Sequence, residues 1–385
     1  MAARRRGLLR AADRQGWDRD QRLWWLLWSG CPGIGPSRLA AIRDSFCGLA
    51  AAWASPPEVL TALAGLGPAS CRQLESYRAE WGLDPLPRLA QQFNGGRRVV
   101  LPADPAFPPA LLDLERPPLQ LHWSGRGWLW PLLHRRQAIA VVGTRRPSRH
   151  GLAMAEAIGA ALAQAGWPVV SGLAEGIDGA VHRGCLAHGG RPVAVLGTPL
   201  ERVYPRHHDA LQAEVMAEGL LVSELPAGTA VQAGHFAARN RLLVGLSRAV
   251  VVVECPLRSG ALHSATLAMR QELPLWVVPA DAGKASAAGS NRLLAQDATV
   301  LLEPADLIRQ LGPGPLVPPD AYPPSGSNAP GVADPVLVSA LGRGASLEQL
   351  CLALDQPAAV LAARLLALEL RGQVRAEPGL CWRPI

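Results

Sequence analysis

The stretch VVGTRRPSRHG, Val141 to Gly151, sets two β-branched residues directly before a glycine and follows them with hydroxyls and arginines. That order predicts a buried strand ending in a turn, then a helix start lined with groups that attract anions. Gly143 lets backbone come close to a ligand. Thr144 and Ser148 offer hydroxyls and helix-start amides, and Arg145 offers a forked cation. A dinucleotide fingerprint needs G-x-G-x-x-G at such a turn, and only one glycine precedes the arginines here, so NAD is disfavoured. Taken alone, the stretch is equally an ordinary strand-to-helix turn with Ser148 as its cap.

The pattern repeats on the C-terminal side. Between Ala138 and Leu311, the runs AIAVVG, PVVSG, PVAVLG, GLLVSE, AVVVVE and LWVVPA are short and β-branched, and most end in a small or acidic residue. Amphipathic stretches such as GLAMAEAIGAALAQAG (Gly151 to Gly166) lie between most of them. Near-continuous apolar strands separated by helices predict a parallel sheet covered on both faces. The fold class is α/β, a doubly wound Rossmann-like sheet, with ligands expected at the carboxyl ends of its strands.

Further strand ends carry similar chemistry. SGLAEGIDGAVH (Ser171 to His182) brings Ser171, Gly172, Gly176 and Asp178 to the second of them, with Asp178 at least as suited to capping the next helix. HFAARNRLLVGLSRAVVVVE (His235 to Glu254) sets Phe236, read as a loop residue, beside Arg239, Asn240 and Arg241. A ring with two arginines at a helix entrance can stack a base and hold its phosphates. The competing reading plugs the core with Phe236 and pairs an arginine with Glu224 or Glu254. RSGALHSA (Arg258 to Ala265) adds Ser259 and Gly260, and AGSNRLL (Ala288 to Leu294) adds Asn291 close to Lys284. RHHD (Arg206 to Asp209) has two adjacent histidines but no evident third ligand, and reads as a solvated helix start.

The 385 residues allow two or three domains. A mobile basic extension is expected over 1–22, and the run LWWLLW (Leu23 to Trp28) after it is too short to span a bilayer. Residues 23–85 read as short helices punctuated by Gly33, Gly35, Gly65 and Gly67, a small helix-hairpin-helix or SAM-like domain whose G-x-G turns could hold phosphate. The α/β domain with its lead-in segment covers 86–311, and a Pro/Gly/Ser-rich linker covers 312–334. The tail, 335–385, gives about three helical patterns and two short strands around Pro378-Gly379, as in a winged helix. The net charge of +7 suits a polyanionic partner, although the 38 basic residues, of which only Lys284 is lysine, equally suit a GC-rich genome. Seven scattered cysteines without a C-x-x-C pair argue against a disulfide framework and a zinc site and for a reducing, cytoplasmic setting.

No P-loop, G-x-S-x-G elbow or H-E-x-x-H motif is present. Several anion-attracting strand ends without an activated nucleophile describe a binding groove more than an enzyme, and no cofactor is expected.

Together, VVGTRRPSRHG, SGLAEGIDGAVH, LGTPLERVYPRHHDAL, SELPAG, HFAARNRLLVGLS, SGALHSA and GSNRLL, in that order, closely resemble the DNA-processing protein A family (DprA, also called Smf). The resemblance covers the α/β domain and extends to the helical front and the winged-helix-like tail. It implies a protein of natural transformation that binds and protects incoming single-stranded DNA, loads the RecA recombinase on it, and dimerises through the Rossmann-like domain. It implies that Gly143, Thr144 and Arg145 contact backbone and base, that Ser171 and Gly172 line the pocket, and that Phe236 stacks on a base. Arg239 and Arg241 would hold phosphate or structure the pocket. The chain departs from the family pattern at Pro199, Ala280 and Asp297, where glycine is usual, and Gln232 and Ala233 stand where a pocket lysine is expected. A nucleotide-binding enzyme acting on nucleoside monophosphates is the alternative. Its P-G-G-x-G-T-x-x-E motif is replaced here by ECPLRSGALHSA.

Overall fold

The computed structural model describes residues 8–9, 13, 16–61, 66–94, 98–317, 335–342, 344–354, 356, 358–370, 373–377 and 381–384. The chain divides into two units, Met1–Val317 and Pro318–Ile385.

The front of the first unit folds around tryptophan. Helix α1 (Arg19–Ser29) carries the LWWLLW run, and Asp18 with Gln21 closes a reciprocal capping box at its start. With α2 (Pro36–Ser45), α3 (Leu49–Ala54), α4 (Pro57–Thr61), α5 (Pro68–Trp81) and α6 (Leu86–Asn94) it encloses Trp25, Trp28 and Trp53. Their indole N–H groups donate to the carbonyls of Leu119 (2.7 Å), Leu49 (3.0 Å) and Gly82 (3.0 Å), which lets the rings be buried without orphaned donors. The expected extension over 1–22 is therefore corrected: α1 starts inside it, Trp17 packs 4.5 Å from Trp25, and Asp13 meets Arg43 at 3.0 Å. Its residues 1–7 lie outside the described residues. Gly35 and Gly67 are the N-caps of α2 and α5, each followed by proline. Gly65 lies outside the described residues.

The α/β part runs β1 (Arg98–Val100), β2 (Leu121–Gly125), α7 (Trp130–His134), β3 (Ile139–Val142), α8 (Arg149–Gln164), β4 (Val169–Ser171), α9 (Ile177–Ala187) and β5 (Pro192–Leu196). It continues with α10 (Asp209–Glu218), β6 (Leu220–Ser223), α11 (Ala233–Gly245), β7 (Ala249–Val252), α12 (Gly260–Arg270), β8 (Leu275–Val277), α13 (Ala288–Leu294), β9 (Thr299–Val300) and α14 (Pro304–Leu311). The nine strands form one sheet in the order β1-β2-β6-β5-β4-β3-β7-β8-β9. Strands β3 to β9 are parallel, while β2 pairs antiparallel with both β6 and β1. The six apolar runs are β3 to β8. The added edge pair, with His122 and Ser124 in β2, lacks their continuous apolar signature.

Alternation along each strand divides the core. Ile139 and Val141 face Ala155, Ile158 and Leu162 of α8 and Val181 of α9; Ala140 and Val142 face Leu243 of α11 and Ala265 of α12. Asp297, in the turn between α13 and β9, has φ +66°, a conformation glycine adopts freely and aspartate tolerates.

The second unit contains α15 (Pro335–Leu341), β10 (Ala345–Ser346), α16 (Leu347–Leu354), α17 (Ala358–Leu370), β11 (Val374–Glu377) and β12 (Cys381–Pro384). Its strands pair in the order β10-β12-β11 over a leucine core, a winged-helix arrangement. Pro378 and Gly379 lie outside the described residues, as do 318–334 of the expected linker. The linker's first residues are corrected: Gly314 N donates to Ala165 O (2.6 Å) and Leu316 N to Gly166 O (3.1 Å), so the chain stays attached to the end of α8 through Val317.

Helices α8 and α9 approach until backbone meets backbone. A Cβ at Gly159 would overlap the Val181 carbonyl, and one at Gly184 would overlap the Glu156 carbonyl. Helix propensity alone would reward Gly184→Ala by about 1 kcal/mol. Overpacking against an immovable carbonyl costs about 1–3 kcal/mol or more, so we expect net destabilisation in a urea titration. A Gly184→Ala variant more stable than the parent would contradict this helix contact.

Candidate nucleic-acid interface

Strands β3 and β7 are hydrogen-bonded neighbours, yet α8 after β3 and α12 after β7 cover opposite faces of the sheet. Such a switch point leaves a crevice beyond the carboxyl ends. Here it is a cavity of about 540 Å³, lined by Gly143, Thr144, Arg145, Phe236, Arg239, Asn240, Ser259 and Gly260 among others.

Each lining group is held by its local chain. A Cβ at Gly143 would sit 2.5 Å from Ile177 Cγ1, so the end of β3 rests on the start of α9. Thr144 N donates to Glu254 O (2.7 Å), its carbonyl accepts from Ile177 N (3.2 Å), and its hydroxyl accepts from Arg146 N (3.2 Å). Arg145 then projects outward, its guanidinium 5.3 Å from the centre of the Phe236 ring. Phe236 stands on the first turn of α11 rather than in a loop, because that helix begins three residues earlier, at Ala233. The ring is half-buried, with Tyr204 at 4.8 Å and Gly197 beneath it, so Phe236 is both anchored and presented. Asn240 Nδ2 donates to the Gly260 carbonyl (3.1 Å), tying α11 to α12, and the Ser259 hydroxyl caps α12.

Arg239 plays a different part from a phosphate clamp. It is 5% exposed, donates to the Val195 carbonyl, and lies 4.0 Å from Asp178 Oδ2. Burial raises the Asp178 carboxyl above its ordinary range, and the Arg239 charge opposes that rise. Gly172 lies outside the cavity lining. A Cβ there would occupy the Arg239 guanidinium's place, so Gly172 makes room for the arginine instead of touching a ligand.

Five more expected site residues are spent on the fold. The Ser171 hydroxyl is buried and donates to Val141 O (2.7 Å). Ser148 caps α8 and gives both its N–H (3.1 Å) and its hydroxyl (2.7 Å) to Glu254 Oε2. Lys284 reaches the Ser148 hydroxyl (2.8 Å) and Glu254 (3.7 Å). Burial acts to raise the Glu254 carboxyl, but hydrogen bonds from Ser286 and Ser148 and the Lys284 charge hold it below its ordinary value. Arg241 pairs with Glu224 at 2.5 Å and lines a second cavity. Asn291 brackets Ala280, accepting from its N–H (3.1 Å) and donating to its carbonyl (2.9 Å), which keeps the loop after β8 in place.

Two cations outside the expected set line the cavity, Arg146 and Arg258. Both are exposed, and like Arg145 neither forms an ion pair among the described residues. Arg258 follows a proline and a leucine just past β7, so only the strand's end position could have flagged it. Tyr204, also unforeseen, was signalled by an aromatic-proline pair in LGTPLERVYPRHH.

The profile of the family described as DNA recombination-mediator protein A matches residues 98–312, and a DprA winged-helix profile matches 319–379. Protein Smf of Synechocystis is 35% identical over 303 residues, covering 77% of this chain and 74% of that protein. Protein Smf of Escherichia coli is 35% identical over 288 residues, covering 73% and 76%. Among solved structures, DNA processing protein A of Streptococcus pneumoniae superposes with TM-score 0.62 at 25% identity, over 76% of this chain and 98% of that one. DNA processing protein A of Helicobacter pylori, whose structure is described as showing a single-stranded DNA binding mode, superposes with TM-score 0.50 at 29% identity, over 56% and 95%. No helix among the described residues is long and apolar enough to cross a membrane.

His182 lies fully buried on α9, and neither ring nitrogen has a hydrogen-bond partner among the described residues. Burial, then the Arg239 charge, pushes its pKa down to about 3 from 6.5. The folded chain therefore keeps a neutral ring where the unfolded chain takes up a proton. Stability is undiminished above about pH 6.5 and declines below it by up to about 1.4 kcal/mol per pH unit. We expect His182→Met to flatten the stability profile between pH 6.5 and 5; an unchanged slope would assign the acid sensitivity to other groups.

Proposed function

The chain belongs to the DNA-processing protein A family of recombination mediators, and from that premise we propose that its switch-point cavity binds single-stranded DNA. In this reading the protein protects incoming DNA and loads the RecA recombinase on it during natural transformation, acting in the cytoplasm as a homodimer. The observation that carries the DNA reading is the Arg145 guanidinium over the half-exposed Phe236 ring. A base can take the place of the guanidinium on that aromatic platform, leaving Arg145 with Arg146 and Arg258 to meet the phosphates on either side. The description of the Helicobacter pylori relative supports the same ligand. A duplex keeps its base faces stacked on one another, so it cannot use the ring.

The nucleoside monophosphate alternative gains no support from the site. Asp178 is the one carboxylate among the described residues lining the cavity, and Arg239 engages it.

Phe236→Ala should weaken binding of an oligothymidine by about 1–3 kcal/mol, the worth of one aromatic–base stack, while Phe236→Trp retains most of the affinity. Loss of stability without loss of affinity in the folded fraction would instead make Phe236 a core residue. Arg145→Ala should weaken binding more than Arg146→Ala, since only Arg145 is seated on the ring. Equal losses would mean diffuse attraction. Three phosphate contacts predict a log K against log[salt] slope of about −2 for a single strand, with duplex affinity well below it at the same ionic strength. Equal affinity for both would overturn the reading.

A further inference from the structure

The paired histidines at the start of α10 have a third partner after all. Glu175, from the loop between β4 and α9, joins His207 and His208, and one donor atom from each lies within 4.8 Å of the others. His207 Nε2 is 2.5 Å and His208 Nε2 4.0 Å from Glu175 Oε2. The two rings stand 4.8 Å apart at 79°, so adjacency in the chain does not prevent both from facing one point.

His208 is already oriented as a metal-bound imidazole is. It is buried, and its Nδ1 lies 3.1 Å from the Leu173 carbonyl oxygen. A carbonyl can only accept, so in the neutral ring Nδ1 carries the proton and Nε2 is left with the lone pair a metal needs. The 4.0 Å between His208 Nε2 and Glu175 Oε2 leaves room for a cation between nitrogen and carboxylate.

We propose that Glu175, His207 and His208 form a site for a borderline divalent cation, Zn²⁺ by its donor set, with two imidazole nitrogens and one carboxylate oxygen as ligands. Ligand atoms around tetrahedral zinc lie about 3.3 Å apart, given bonds of about 2.0–2.1 Å. The two separations from Glu175 Oε2 fall on either side of that value. His207 and Glu175 are 66% and 49% exposed at their side chains, free to make the adjustment. Imidazole donors select zinc, nickel or copper over magnesium and calcium. The ion would join two segments that flank the cavity. Glu175 belongs to the loop in which Gly176 abuts the Thr144 carbonyl, and His207 follows Tyr204, which packs on Phe236.

The test uses the tag-free full chain, stripped with a chelator and titrated with zinc against a chromophoric competitor. We expect one tight equivalent that millimolar magnesium does not displace, and a melting temperature raised by zinc. Glu175→Gln and His207→Ala should each weaken zinc binding by about tenfold or more and remove the thermal shift. Cys47 is an exposed thiol, so Cys47→Ser, which should bind as the parent does, separates this site from thiol capture. Absence of zinc binding by the parent would overturn the proposal. Binding by either the Glu175→Gln or the His207→Ala variant as tight as the parent's would overturn it as well.

Discussion

The buried guanidinium of Arg239 is the contact on which the site depends. It rises from α11 into the space left by Gly172, donates to Val195 at the end of β5, and faces Asp178 on α9. One side chain thus fastens a helix to two strand ends and to the helix opposite. Removing one partner of such a buried pair costs about 3–5 kcal/mol, because the other charge is left uncompensated. Phe236 and Asn240, which α11 presents to the cavity, take their positions from that anchor. The same burial explains why Arg239 serves the pocket's shape, while Arg145, Arg146 and Arg258 stay exposed at its lining.

A second constraint is the change of winding direction between β3 and β7. Helices leave these neighbours toward opposite faces, so no connection crosses above their carboxyl ends. Glu254, just past β7, is held inward by Ser148 and Lys284, and the Thr144 amide closes on its carbonyl. The carboxylate that could have repelled a phosphate is neutralised beneath the rim, and the rim itself is cationic.

The sheet was legible because six of its strands are apolar but for the closing Ser171 and Ser223, and burial on both faces permits little else at those positions. The edge pair β1 and β2 escaped notice, since short strands with one exposed side carry polar residues that read as loop. Gly143, Thr144 and Arg145 could be placed at the cavity from strand-end position, and Phe236 from a ring set beside arginines at a helix entrance. Ser148, Arg241, Lys284 and Asn291 could not be separated from them, because a hydroxyl, cation or amide that bonds within the fold has the same sequence signature as one that bonds a ligand. Only the location of Glu254, Glu224 and Ala280 distinguishes the two. Asn291, for example, looks like a helix-start ligand until its amide is found spent on the Ala280 backbone. Glu175 and His207 show the reverse case, partners 32 residues apart that only the fold brings together.

In the proposed binding mode a base of single-stranded DNA rests on the Phe236 platform at the switch point. Photocrosslinking with an oligonucleotide carrying one halogenated pyrimidine, followed by peptide mapping, reads that contact directly. Crosslinks are expected on the first turn of α11, at Phe236, with Tyr204 as the neighbouring acceptor. Crosslinks confined to the helical front or the winged-helix unit, with none in residues 233–240, would contradict it.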